Sequence, residues 1–217
     1  MPRKAIIALL FTVFLIALCG AKDKPLQIIF IDAEIQQLYL YEDRRLIASY
    51  PCAVGKTATP SPIGVWKVNG KAENWGDGFG TRFISIDCPW GRYGIHGTDK
   101  PQSIGGHTSH GCIRMRNEDV EKLYERVRVG AKVVIERSGC GNMAAGLRNL
   151  RPGDRGSDVY EVQKRLINAG YMTGIPDGIF GNGTKEALLR FMRDHDLQET
   201  DCVDRAVYQR LGILLFD

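Results

Sequence analysis

The sequence predicts two units: a mainly β domain, either a β-sandwich or a partly closed barrel with one helix, and then a small all-α domain of three helices. Three observations carry this reading. Between Leu26 and Arg137, short runs rich in β-branched and aromatic residues alternate with turn-forming clusters, and a single segment has helical spacing. From residue 147 onward, apolar residues recur three and four apart instead. Between the two lies SGCGNMAAG, residues 138–146, small and flexible in composition and read as a linker. The boundaries expected are therefore 26–137 and 147–217, with the two units organised independently of one another.

Residues 1–21 stand outside both. Arg3 and Lys4 precede the apolar run AIIALLFTVFLIAL, and Cys19, Gly20 and Ala21 follow it. A basic start, a short apolar stretch and a small-residue exit describe an export signal, with cleavage after Ala21. A spanning helix needs about 20 apolar residues and this run is shorter, so a retained membrane anchor is the second reading. Lipid attachment at Cys19 is weaker still, because Leu18 is bulky where a small residue is expected.

In chain order, LQIIFID and QQLYLYED read as strands, and EDRR as the turn into a third, LIASYPCAV. VGKTATPSPIG carries two prolines and two glycines that argue against regular structure. IGVWKVN, TRFISID and YGIH read as further strands, the first two separated by a Gly-rich loop, KAENWGDGFG. The one helix has Asn117 as its N-cap, Glu118 and Asp119 in its first turn, and Val120, Leu123, Tyr124 and Val127 on one face. AKVVIE closes the unit as a strand. In the second unit Ser157 caps a helix carrying Val159, Val162, Leu166 and Ile167 and ended by Gly170. Thr184 caps another, with Leu188, Phe191 and Met192, and a third runs from about Asp201 to Leu211. GIPDGIFGNG, between the first two, is a chain of tight turns.

Composition narrows the function. At 217 residues and 44% hydrophobic the chain can bury a real core, and its 25% charged fraction is ordinary for a folded protein. Beyond Arg3 and Lys4, 27 basic residues face 25 acidic ones, and no basic stripe is interleaved with aromatics. Nucleic acid is not indicated as a partner, and a membrane only through the N-terminal segment. Five cysteines follow the leader: Cys52, Cys88, Cys112, Cys140 and Cys202. None forms a CxxC pair, so no structural zinc is indicated. Outside the cell the odd count leaves at least one without an intrachain partner; two disulfides plus a free thiol, or five free thiols, both stay open.

The chemistry concentrates in His96–Asn117, HGTDKPQSIGGHTSHGCIRMRN, which holds three of the four histidines and shows almost no apolar periodicity. It reads as a loop that assembles an acyl-transfer site. Cys112 is the candidate nucleophile. Gly111 before it permits close substrate approach, and the N–H groups of Gly111 and Cys112 can form an oxyanion hole. Arg114 and Arg116 are cations expected to lower the thiol pKa. A thiol needs an imidazole within reach. His110, two residues away, leaves the same face as Cys112 if the segment is extended, and His96 can approach from the end of YGIH. A rival reading makes His96, His107, His110 and Cys112 zinc ligands of a hydrolase, although no acidic general base sits in the segment. A non-catalytic binding protein that uses only its helical domain is the third reading.

VGK at 54–56, TPSPIG at 59–64, GIHGT at 94–98 and SHGCIRM at 109–115 stand in the order of the L,D-transpeptidase (YkuD-like) catalytic domain, which the segment from Leu26 to Arg137 resembles. The resemblance implies Cys112 as nucleophile, His96 as base, the Gly97 carbonyl as orienter of His96, and His110 and Gly111 shaping the oxyanion hole. Arg114, Tyr93 and Ser109 are then expected at the substrate. Arg114 stands where some members carry Asn, so no role is carried over from that Asn, but a bidentate contact to a substrate carboxylate remains open to it. The implied substrate is the peptidoglycan stem peptide, cross-linked through a Cys thioester with release of D-Ala and without cofactor or metal; hydrolysis of the thioester would make the same site an L,D-carboxypeptidase. Leu150, Gly153, Gly156, Val159, Gln163, Leu166, Gly170, Asp177-Gly178, Phe180-Gly181, Thr184, Ala187 and Phe191 resemble a three-helix peptidoglycan-binding domain, with Met192 replacing a common glutamine. The location implied is the cell wall or periplasm.

Overall fold

The computed structural model describes residues 24–137 and 147–213; the expected leader at 1–21, the linker at 138–146 with Cys140, and the last four residues lie outside these. Among the described residues no helix is long and apolar enough to cross a membrane.

Strands β1 (Gln27–Asp32), β2 (Gln37–Glu42) and β3 (Arg45–Pro51) form an antiparallel meander. Every second residue of β1 is buried, Ile29 and Ile31 completely, as the two-residue period of a pleated strand requires. Asp43 and Arg44 join β2 to β3 with φ of 44° and 68°, the paired left-handed conformation that matches strand twist in a two-residue hairpin. There follow β4 (Val54–Gly55), β5 (Gly64–Glu73), β6 (Arg82–Ile86), β7 (Tyr93–His96), β8 (His107–Ser109), β9 (Ile113–Arg114), helix α1 (Asn117–Arg126) and β10 (Lys132–Glu136). Eight strands make one sheet, in the order β3-β2-β1-β10-β5-β6-β7-β9, and β4 pairs with β8 apart from it. The sheet curls into a half-barrel, the mainly β fold that the short strand runs predict. Its core is lined by Ile29, Ile31, Leu38, Leu40, Ile84 and Ile95, with Val120 and Leu123 of α1 packed in. Lys71 Nζ donates to the carbonyls of Tyr124 and Val127, satisfying acceptors that the end of α1 leaves unpaired.

Two expectations need correction. β5 runs on to Glu73, through residues assigned to the Gly-rich loop, because β6 keeps it paired as far as Glu73↔Arg82. Asn117 is the first helical residue and Arg116 the cap, without a side-chain bond; Asn117 Oδ1 accepts instead from the Thr81 N–H at 3.3 Å.

The second unit has α2 (Ser157–Asn168), α3 (Asn182–Asp194) and α4 (Arg205–Arg210), closed around Leu150, Val159, Leu166, Phe180, Phe191 and Tyr208. Ser157 and Thr184 do not cap: the N-caps are Gly156 and Gly181. Thr184 lies inside α3, where its buried hydroxyl accepts from Gln163 Nε2 at 3.0 Å. The third helix starts later than expected, with Asp204 Oδ1 accepting from the Val207 N–H at 3.1 Å. Met192, in place of the common glutamine, is buried in this core, and its sulfur accepts from the Thr200 N–H at 3.4 Å. Gln163 is fully buried and ties down the turn that follows: its Oε1 accepts from the N–H groups of Asp177 and Gly178, and its Nε2 donates to Asp177 Oδ1 and the Ile179 carbonyl.

The two units have separate cores but touch one another. Tyr160 of α2 sits edge-on to Trp66 and tilted against Trp90, both at 5.5 Å between ring centroids, and Ile179 packs on the same apolar surface. Trp66 and Trp90 are buried here. The linker composition gave no sign of this contact, which rests on side chains distant in sequence.

Candidate active site

β7 and β9 run parallel with Ile95 opposite Ile113 and His96 opposite Arg114. Ile95 and Ile113 point into the core, so His96 and Arg114 take the other face, and the same register sets Cys112 beside Gly94 on that face. Parallel pairing is thus what brings two distant motifs together. Neither strand could do this alone.

His96 is buried, with Phe83 opposite it across β6 and stacked at 5.9 Å, and Phe79 edge-on at 4.8 Å. Its Nδ1 lies 2.5 Å from the Gly97 carbonyl. A carbonyl only accepts, so Nδ1 carries the proton and Nε2 is left as the acceptor of the neutral ring. Burial holds the His96 pKa below its ordinary 6.5; the Gly97 carbonyl opposes this, the Arg114 charge adds to it, and the Phe79 carbonyl opposes it again.

Cys112 is half-buried, its thiol turned to the Arg92 carbonyl oxygen at 4.0 Å rather than to His96. Catalytic hydrogen bonds of this kind commonly tighten only once substrate is in place. The expectation of a lowered thiol pKa fails on balance. Burial pushes the thiol above its ordinary 9.0, and the Gly94 N–H aimed at sulfur and the Arg114 charge, which both lower it, do not outweigh that. Near neutral pH the site therefore holds a protonated thiol and a neutral imidazole rather than an ion pair.

The segment before Cys112 is not extended. Gly111 has φ of 115°, which turns the chain and sends His110 to the surface, where its Nε2 lies 3.3 Å from Lys56 Nζ. Two further expectations change in this turn. Ser109 is 1% exposed and bridges the loop, its Oγ donating to the Cys112 carbonyl at 2.5 Å and accepting from the Gly111 N–H at 3.0 Å. That use takes Ser109 away from substrate and engages one of the two expected oxyanion donors. Tyr93 is half-buried with its ring against Gly111, where a Cβ would stand 2.6 Å from Tyr93 Cε1. Burial raises the Tyr93 pKa, Cys88 adds to this, the Trp90 indole N–H turned to its hydroxyl opposes it, and Cys112 adds again. The zinc grouping does not form: His107 lies 2.9 Å from Gln36 Nε2 and 3.3 Å from Arg137, while His96 and His110 face other partners.

Arg114 Nε is buried with no hydrogen-bond partner among the described residues. A buried charged donor without an acceptor is costly unless a ligand supplies one.

Apart from the Gly97 carbonyl, the residues that position His96 were not singled out for that role in the sequence. Asn117 Oδ1 fills the space between Gly80 and Gly97, where an added Cβ on either would stand 2.1 Å from it. Phe79 and Phe83 enclose the ring; the aromatics of WGDGFGTRF were the available signal. Gly97→Ala is expected to displace Asn117 or swing the Gly97 carbonyl off Nδ1, slowing acylation by about 10²-fold, the typical result of an ångström-scale misplacement. Adding Asn117→Ala should recover part of that loss in a burst measurement of acyl-enzyme formation; equal rates for the single and double variants would contradict the steric cause.

A family model described as "L,D-transpeptidase catalytic domain" matches residues 26–135, just over half of the chain, and one described as "Putative peptidoglycan binding domain" matches 155–211. The chain is 45% identical over 98 residues to "Putative L,D-transpeptidase YkuD" of Bacillus licheniformis, and 42% identical over 100 residues to the protein of the same name from Bacillus subtilis. Those alignments take in 45% and 46% of this chain and 58% and 60% of the relatives, so the chain spans little more than half of their length. Among solved structures, the catalytic domain of the E. faecium L,D-transpeptidase aligns with a TM-score of 0.45 at 27% identity, covering 54% of this chain and 99% of that one. An L,D-transpeptidase from Mycobacterium smegmatis aligns at 0.45 and 19%, covering 52% and 59%.

Proposed function

The chain belongs to the YkuD family of L,D-transpeptidase catalytic domains, and from that premise we propose that Cys112 is acylated by a peptidoglycan stem peptide and passes the acyl group to an amine of a second one. The observation that carries the reading is the state of His96. With Nδ1 tied to the Gly97 carbonyl and a pKa held below 6.5, its Nε2 is a free base at neutral pH on the face that Cys112 shares.

The thiol gives its proton to Nε2 as sulfur attacks the carbonyl between the third residue and D-Ala. The Cys112 N–H stabilises the oxyanion, and Gly111 keeps the approach open. His96 then protonates the leaving D-Ala amine, and the thioester remains. The acceptor amine loses its proton to the same nitrogen as it resolves the thioester, which regenerates the thiol. Arg114, with its unpaired buried Nε, takes a substrate carboxylate.

A peptidoglycan-binding domain next to a transpeptidase domain implies a role at the cell wall or in the periplasm. Export through cleavage after Ala21 belongs to this proposal, as does glycan binding by residues 147–217. Incubation of the purified enzyme with tetrapeptide muropeptides, followed by mass spectrometry, tests the function. The expected product is a dimer joined between third-position residues with loss of one D-Ala. Tripeptide monomer alone would identify an L,D-carboxypeptidase, and unchanged substrate would overturn the reading.

A further inference from the structure

The helical domain touches the catalytic domain at Trp66 of β5 and at the loop between β6 and β7, and that loop also touches the nucleophile. Between β6 and β7 the chain runs Asp87-Cys88-Pro89-Trp90-Gly91-Arg92. Its last carbonyl, that of Arg92, is the oxygen 4.0 Å from Cys112 Sγ. Tyr93, the next residue, packs against Gly111 immediately before the nucleophile, and its hydroxyl faces the Trp90 indole N–H. Trp90 is covered from the helical side: a Cβ on Gly178 would stand 2.2 Å from Trp90 Cε3, and Tyr160 lies 5.5 Å from the Trp90 ring. Gly178 is itself fixed, with φ of 67°, an N–H donated to Gln163 Oε1 at 2.8 Å, and a carbonyl accepting from Gly156. An unbroken series of close contacts thus runs from the buried Gln163, through the Asp177–Ile179 turn, to Trp90, Tyr93 and Cys112.

We propose that Trp90 is a positioning residue for the nucleophile, and that the peptidoglycan-binding domain holds it in place. In this arrangement the domain is more than a tether. It closes the apolar side of the Cys112 loop, keeps the sulfur shielded, and sets the Arg92 carbonyl and Tyr93 ring that fix the thiol's direction. Close-packed interiors transmit displacement because they have no slack to absorb it. Cys112 shares its face with the His96 imidazole, and the Arg114 guanidinium, the Tyr93 hydroxyl and the Gly94 N–H also bear on the sulfur.

The proposal rests on Cys112 being the nucleophile, and the test separates the two ideas. Full-length wild type, Tyr160→Ala, Tyr160→Phe and Gly178→Ala are each measured for carbapenem acylation of Cys112 and for its alkylation by iodoacetamide across pH. None of these substitutions touches the catalytic groups. Loosening the loop should slow carbapenem acylation about tenfold at saturation, since thiol and imidazole lose alignment. It should speed alkylation at pH 8, since a less shielded thiol ionises at lower pH. Tyr160→Phe keeps the ring and should behave as wild type. A purely structural defect moves thermal stability while leaving both reactions of the folded protein unchanged, and that result in Tyr160→Ala and Gly178→Ala overturns the proposal. If one of the two does not fold, the other, approaching Trp90 through a different contact, decides. Wild type that is never acylated at Cys112 would instead refute the proposed function.

Discussion

Replacing Cys112 by alanine should abolish covalent capture of a carbapenem, whose strained lactam carbonyl stands in for the scissile amide: intact mass is expected to show one adduct on wild type and none on the variant. The selectivity does not come from a low thiol pKa, because burial raises that of Cys112. It comes from a base and an oxyanion donor placed around one sulfur. Cys52 and Cys88 are buried, and their thiols are pushed up to about 12, Cys52 by burial and the Asp32 charge, Cys88 by burial and the Asp87 charge against the Trp90 N–H. At neutral pH such thiols are ionised to only about one part in 10⁵. Cys202 lies in the helical unit, outside the His96–Asn117 segment, with its N–H donated to Thr200 Oγ1 at 3.3 Å. A simple alkylating agent, which needs a preformed thiolate, should accordingly react slowly with Cys112 near pH 7 and faster above pH 9, even though the carbapenem acylates it readily at pH 7. Adducts spread over several cysteines, or persisting in Cys112→Ala, would remove the central residue of the mechanism.

This contrast marks where sequence stops being informative. SHGCIRM points to the thiol from its own residues, whereas His96 as the imidazole and the Gly97 carbonyl as its partner are what the family resemblance of GIHGT implies, and the structure places that carbonyl 2.5 Å from Nδ1. The sign of the thiol pKa is another kind of quantity. Arg114 and Arg116 are visible as neighbours in the chain, whereas burial depends on how β7, with Tyr93 and Gly94, sits against the Gly111–Cys112 turn, and burial wins. The expected face-sharing of His110 and Cys112 failed for a local reason, the positive φ at Gly111, which glycine permits but does not announce. The caps expected at Ser157 and Thr184 failed because glycines one and three residues earlier supply the turn into each helix. Periodicity, being a property of consecutive residues, gave a mainly β unit, left open between a sandwich and a partly closed barrel, and a helical one. The Trp66–Trp90–Tyr160 contact between the two units, a matter of pairwise packing, left no trace in either pattern.

His96→Ala should cost about 10²–10⁴-fold in acylation rate, the usual contribution of a positioned general base, and should also change the shape of the pH profile. In wild type the reactive form is neutral imidazole with protonated thiol. His96 is held below 6.5 and Cys112 above 9.0, so this form predominates from the acid side of 6.5 to the alkaline side of 9.0. The rate should be flat across that window and fall on the acid side, where Nε2 takes up a proton and can no longer accept one from sulfur. An ion-pair mechanism would place its limbs differently, with the thiol titrating at low pH and the imidazole at high pH. Without His96 the acid limb should vanish. The residual reaction must then wait for thiolate formed by bulk base, so its rate should climb about tenfold per pH unit until the thiol itself titrates. His110→Ala, which removes a surface imidazole beside Lys56, should retain the wild-type profile with a modest change in rate. Pre-steady-state acylation from pH 5 to pH 10 measures all three proteins. A flat profile that survives in His96→Ala but is lost in His110→Ala would transfer the base to His110 and require the Gly111 turn to reverse before reaction.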